Sequence, residues 1–252
     1  MQKEEYLQTI YVAYKGNQQL TKDVFPGGVV DLDGAYNIQH AFTALKEQGG
    51  EKLAGYKISM TSKGTQKLFD ATEPLYGQLT DKRVVLELAL ADTLEALIEL
   101  ELVFVAQEDL AASDSDETLL RKVKVAPGLE IPDSRYKDWF PKMSKEYVCC
   151  DCAVGGWVAY GEPKVATYAS LDKIKGTLLH DGKELSNGTS DIVLAHPLNA
   201  VHWLLEKLQS HGLIVKKGMF ISSGTFVYPE KLTKGSYEGH FENFGSVVLA
   251  VK

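Results

Sequence analysis

The chain has 252 residues, 44% of them hydrophobic and 24% charged, with a formal net charge of −7. That length supports one domain with a sizeable core, or a core with a smaller appendage. No Lys/Arg cluster offsets the negative balance, which argues against binding a nucleic-acid backbone. No run of about 18 apolar residues occurs, so no membrane span is expected.

The N-terminus, MQKEEYLQTIYVAYKG, is charged and lacks an apolar h-region, so no signal peptide and a cytoplasmic location are expected. Residues 3–14 predict a helix with Tyr6, Ile10 and Ala13 on one face. A turn-rich loop with PGG at 26–28 follows. Asp33 reads as the N-cap of a second helix, in which Ala35, Ile38, Phe42 and Leu45 recur at helical steps and Gly49 and Gly50 form the stop. LAGYKISMTS, from 53, reads as a strand, EPLYGQLTD as a turn-rich segment, and the acidic stretch at 108–117 as a solvated turn and helix start. From 145 onward short apolar runs alternate with turns. HDGKEL there carries an Asp-Gly hairpin signal. A late helix starts near Pro197, lines Leu198, Val201, Leu205 and Leu208 on one face, and ends at Gly212. The order is a helical N-terminal part (1–52) leading into a β-rich body (53–252), integrated as one α+β unit.

Four groups could carry chemistry. Glu99 and Glu101 lie in LIELELVFVA. On a strand they share a side, opposite Ile98, Leu100, Leu102 and Phe104, and could hold a hard cation such as Mg²⁺ or Mn²⁺. On a helix they diverge and are a solvated face, and ADTLEALIELEL has the propensity for that. Glu130, bracketed by Pro127, Gly128 and Pro132, reads as a metal ligand or as the partner of Arg135. Lys57, between Tyr56 and Ile58, reads as an acid–base group or as a surface lysine. Cys149, Cys150 and Cys152 are too few for structural zinc and read as buried strand cysteines. No dinucleotide fingerprint, Walker A, zincin or nucleophile-elbow motif is present.

Taken in order, several segments resemble one family, that of 2-keto-4-pentenoate hydratase and 4-oxalocrotonate decarboxylase. GYKISMTS resembles its G-x-K-I/V-G-L/M-T-S segment, EPLYGQLTD its P-x-Y-G-x-L turn, and IELELVFV its E-x-E strand. GLEIPDSRYKDW, LAHPLNAVHWLLEKLQSHG, SSGTFVYP and FENFGSVVLAVK resemble later segments, so the resemblance runs from about residue 31 to the C-terminus. It implies a β-rich fumarylacetoacetate-hydrolase-like roll and a homo-oligomer. It also implies Mg²⁺ or Mn²⁺ held by Glu99, Glu101 and Glu130, with Lys57 as proton carrier. Tyr76, Leu79, Asp151 and Thr225 are the implied substrate contacts.

The implied reaction is hydration of a 2-hydroxypenta-2,4-dienoate-type acid to a 4-hydroxy-2-oxo acid. Decarboxylation of a 4-oxalocrotonate-type acid is the alternative, and a non-catalytic oxo-acid-binding relative the third reading. The chain departs from the family pattern at Cys152 and Val154, where Asn and Ser are common, and at Ser59, where Gly is usual. Tyr228 stands where dicarboxylate-specific hydratases that resemble this chain tend to carry arginine. Tyr228, with the less polar Cys152 and Val154, favours a substrate with an uncharged distal end.

Overall fold

Helix α1 (Lys3–Gly16) buries Tyr6, Ile10 and Ala13, the stripe expected from their spacing. The computed structural model describes residues 3–21 and 31–252, so the loop read around 26–28 lies outside the described residues. Helix α2 (Leu32–Gln48) is capped by Asp31, whose carboxylate accepts from Gly34 N at 2.7 Å. The cap is thus two residues earlier than expected, and Asp33 instead places its charge in the first turn, against the positive end of the helix dipole. The buried face of α2 is also wider than its apolar stripe, because Gln39, Thr43 and Lys46 go inside with Ala35, Ile38 and Phe42.

The rest of the chain runs β1 (Leu53–Ser59), α3 (Lys63–Leu68), β2 (Leu75–Thr80), β3 (Glu87–Leu88), β4 (Leu97–Ala106), α4 (Asp116–Lys122) and β5 (Val123–Ile131). It continues through α5 (Lys145–Cys150), β6 (Trp157–Tyr160), α6 (Tyr168–Leu171), β7 (Lys175–His180), β8 (Lys183–Thr189), α7 (Pro197–Ser210), β9 (Phe220–Thr225), β10 (Glu230–Lys231), β11 (Gly235–Phe241) and β12 (Gly245–Val251). One sheet has the order β2-β1-β9-β4-β5-β6, with β10 paired to β4; the other has the order β3-β12-β11-β7-β8. Helices and sheets are mixed, as the α+β reading requires. Among the described residues no helix is long and apolar enough to cross a membrane.

Two segments differ from expectation. EPLYGQLTD contains β2, a fully buried strand, not only a turn. Burial on both sides removes the alternation that marks a strand, and Gly77 mimics a turn residue. Gly77 is needed for another reason: a Cβ there would lie 1.8 Å from the carbonyl oxygen of Cys152. The cysteine segment is helix α5 and not a strand, and it is followed by three left-handed residues, Cys152, Ala153 and Val154, at φ 56°, 51° and 53°. The Asp181-Gly182 hairpin forms as read, with both central residues at positive φ, as a type I′ turn demands.

The sheets press together through Leu100 of β4 and Leu129 of β5, which lie against Gly239 of β11. On the first sheet's opposite face, Leu79, Val103, Val158 and Phe220 form a second apolar cluster. The carboxylates described next belong to that face.

Candidate active site

Strand β4 settles the two readings of Glu99 and Glu101: both sit on a strand. In the β4–β5 ladder Glu99 is paired with Glu130, and Glu101 with Gly128. Cross-strand partners share a face, so all three glutamates converge. One carboxylate oxygen from each lies within 4.8 Å of the other two. Glu101 and Glu130 are buried and Glu99 is partly exposed. Between β4 and β9 the register shifts, with one extra residue on β9 between Ser222 and Thr225. This bulge turns the Gly224 N–H onto Glu101 Oε2 at 3.0 Å, while Ser222 Oγ donates to the same oxygen at 2.6 Å. Gly224 sits at φ 114°, where a side chain would also strike Thr61.

Lys57 projects from β1 into this cluster and is 1% exposed, not a surface lysine. Its Nζ lies 3.0 Å from Glu130 Oε2 and donates to the Ala153 carbonyl at 2.9 Å. Glu130 is therefore not the partner of Arg135. That guanidinium instead binds Asp151, Nε to Oδ1 at 2.6 Å, and reaches the carbonyls of Asp151 and Gly155. The Arg135–Asp151 pair brackets the left-handed turn that presents Ala153 O to Lys57.

Three carboxylates against one ammonium leave the cluster short of positive charge. Burial, together with the neighbouring Glu130, raises Glu99 well above the usual carboxylate range and lifts Glu101 to about 7. Burial raises Glu130 too, though Lys57 opposes it. For Lys57 burial acts downward, but the surrounding glutamates outweigh it and hold the amine above its ordinary value. Among the described residues, Glu101 Oε1 and Glu130 Oε1 are buried and receive no hydrogen bond. Orphaned buried carboxylate oxygens are costly, and a hard dication supplies what they lack. The donor set is all oxygen, so the residues present fit Mg²⁺, Ca²⁺ or Mn²⁺ better than a soft metal.

This predicts a pH dependence. Burial and the neighbouring Glu130 lift the folded-state pKa of Glu101 from 4.5 to about 7, so the metal-free protein binds extra protons between those values. The stability linked to those protons is present below pH 4.5 and is lost as pH rises through about 7. Metal binding must displace the protons, so affinity should fall by roughly tenfold per pH unit below 7 for one displaced proton. Calorimetric Mn²⁺ titrations at pH 6 and pH 8 test this; equal affinities would refute it.

The cluster opens on a cleft walled by Met60, Phe69, Trp139, Phe140, Val148 and Val154, with Thr225 and Glu99 on its floor. Among the described residues that line it, only Lys57 and Glu99 are charged. Trp139 and Phe140 also line a second, more open cleft with Leu90, Leu94, Leu97 and Leu232. Of the four expected substrate contacts, Thr225 alone is at the cleft. Tyr76 lies on the other face of β2, its hydroxyl 2.7 Å from both His40 Nε2 and His211 Nδ1. Leu79 belongs to the second apolar cluster, and Asp151 is committed to Arg135. The aromatic wall was not read from the sequence, although Trp139 ends the DSRYKDW segment; spacing gives no sign that Phe69 and Phe140 join it.

No family model matches the chain. The TodF product hydratase of Pseudomonas putida is 30% identical over 232 residues, which cover 88% of this chain and 85% of that protein. The chain belongs to the 2-keto-4-pentenoate hydratase and 4-oxalocrotonate decarboxylase family. A 2-keto-4-pentenoate hydratase from Burkholderia vietnamiensis is 28% identical over 233 residues, 90% of this chain and 87% of that one. Among solved structures, 4-oxalocrotonate decarboxylase from Pseudomonas putida G7, complexed with magnesium and adipate, has the same fold. It superposes with a TM-score of 0.90 at 23% identity, covering 100% of this chain and 99% of that one. A fumarylpyruvate hydrolase from Pseudomonas aeruginosa, at 17% identity, shares the fold over 79% of this chain and 89% of its own, with a TM-score of 0.59. Fold and family thus agree with the fumarylacetoacetate-hydrolase-like roll expected of a hydratase–decarboxylase relative.

Proposed function

We propose that the chain is a metal-dependent hydratase that converts a 2-hydroxypenta-2,4-dienoate-type acid into a 4-hydroxy-2-oxo acid. The observation that carries this is the convergence of Glu99, Glu101 and Glu130 beside the buried Lys57, next to a cleft walled mainly by aromatic and aliphatic side chains. Mg²⁺ or Mn²⁺ would be held by the three glutamates; bound there, it supplies a Lewis acid to the carboxylate and 2-oxo oxygens of a 2-oxo acid. Lys57 Nζ carries the proton that the dienol must relocate as it becomes the conjugated ketone to which water adds. Ala153 O and Glu130 fix the direction of that N–H. Phe69, Trp139 and Phe140 keep bulk water from the remainder of the substrate. A homo-oligomer completes the reading.

The same electron flow would serve a decarboxylase, whose substrate carries a second carboxylate. Burying that charge without a cation is costly. Among the described residues the lining offers none beyond Lys57, and Tyr228 is 63% exposed, edge-on against Phe140. With Mg²⁺ present, kcat/KM for 2-hydroxypenta-2,4-dienoate should exceed that for 4-oxalocrotonate by about 10- to 100-fold. EDTA should abolish turnover. A preference for the dicarboxylate with release of CO₂ would overturn the hydratase assignment, and no turnover of either acid would favour a non-catalytic binder.

A further inference from the structure

Lys46, on the buried face of α2, is 3% exposed. Its Nζ lies 3.5 Å from Cys152 Sγ, over the Phe42 ring at 3.9 Å and the Tyr14 ring at 4.6 Å. Among the described residues no oxygen accepts a hydrogen bond from it. A buried ammonium ordinarily faces a carboxylate, because desolvation without a partner is costly. Here the facing group is a fully buried thiol, with Thr43 Oγ1 3.9 Å from the same sulfur. Burial pushes Lys46 below the usual lysine range, although Cys152 opposes the shift, so more of its amine keeps a free lone pair.

The other two cysteines are built differently. Burial raises the Cys149 thiol and lifts Cys150 to about 12, which keeps both unreactive. The polar contact of Cys149 is the Gln39 amide at 3.8 Å, not a cation. Among the described residues, Cys152 alone of the three cysteines has a lysine nitrogen aimed at its sulfur.

We propose that Cys152 and Lys46 form a covalent sulfur–nitrogen cross-link when the protein meets hydrogen peroxide. The Cys152 sulfur attacks one peroxide oxygen, the O–O bond breaks and water leaves. Sulfur is oxidised by two electrons to a sulfenic acid as the peroxide is reduced. The Lys46 lone pair then attacks that sulfur. The S–O bond breaks, and the oxygen departs as a second water with a proton from nitrogen. The net change is thiol, amine and peroxide to one S–N bond and two waters. Added thiol reverses it: attack at sulfur releases the amine and leaves a mixed disulfide, which a second thiol resolves to Cys152. Since Cys152 opens the left-handed turn whose Ala153 carbonyl receives Lys57, drawing its sulfur toward α2 should also lower turnover. That last consequence rests on the proposed function; the cross-link does not.

The test is peptide mapping and intact mass of the whole protein after equimolar hydrogen peroxide. The expected result is a loss of two hydrogens and a fragment joining the peptides that contain residues 46 and 152, both reversed by dithiothreitol. The mass loss should persist in a Cys149→Ser, Cys150→Ser double variant and disappear in Lys46→Arg. Three results would each overturn the proposal: Cys152 recovered as sulfinic or sulfonic acid with Lys46 unlinked, a disulfide from Cys152 to another cysteine, or Cys152 unmodified. If the cross-link forms without loss of dienoate turnover, the coupling to the Lys57 turn is wrong while the bond stands.

Discussion

Lys57→Met is expected to retain metal and lose about 10²- to 10⁴-fold in kcat, the usual loss when a positioned acid or base is removed. Methionine has a similar length and fills the same channel between β1 and the glutamates, so the cleft keeps its shape. It removes the ammonium that Glu130 faces at 3.0 Å. The glutamate cluster then becomes more negative, so metal affinity should stay the same or increase. That sign separates the proposed role from a structural one. A variant with near-normal kcat at saturating substrate and metal would remove Lys57 from the mechanism. Loss of metal binding would instead make it a support for the ligands.

Glu101→Ala should abolish activity and weaken metal binding by more than about 100-fold, beyond the effect of altering a residue behind the ligands. The fold should survive. Truncation strands Ser222 Oγ and the Gly224 N–H, which costs about 1–3 kcal/mol for each buried group left unpaired. It also removes one of three crowded, mutually repelling carboxylates, which offsets part of that cost. Mn²⁺ titration of the variant, read beside its circular dichroism, makes the check. Unchanged affinity in a folded variant would sink the ligand assignment.

The helices were the most legible part of the sequence. α1 and α7 each bury a single stripe, and the caps and glycines around them are local signals. Strand β4 was ambiguous because ADTLEALIELEL has helix-forming composition; pairing with β5 and β9 decides it, and that is a tertiary fact. Strand β2 and helix α5 were misread for related reasons. β2 is covered on both faces, so it shows no alternation, and α5 is only six residues long, too short to display a helical period.

In the site, the ordered family segments implied Glu99, Glu101, Glu130 and Lys57, which the structure brings together. Composition and spacing alone left each with a surface or ion-pair alternative. The partners of Lys57 and Arg135 could not be read, because they depend on the left-handed turn at 152–154. Tyr76 and Asp151 were expected at the substrate; they are occupied by hydrogen bonds elsewhere.

Trp139 and Phe140 line the cleft on one side and the wider, open cleft on the other. The candidate site and the wider cleft therefore share a wall to which Trp139 and Phe140 both contribute. Trimming Phe140 would breach it without touching Lys57 or any glutamate. Acids with longer tails would then have somewhere to extend, and selectivity for chain length could change in one mutational step while the chemical centre stayed as it was.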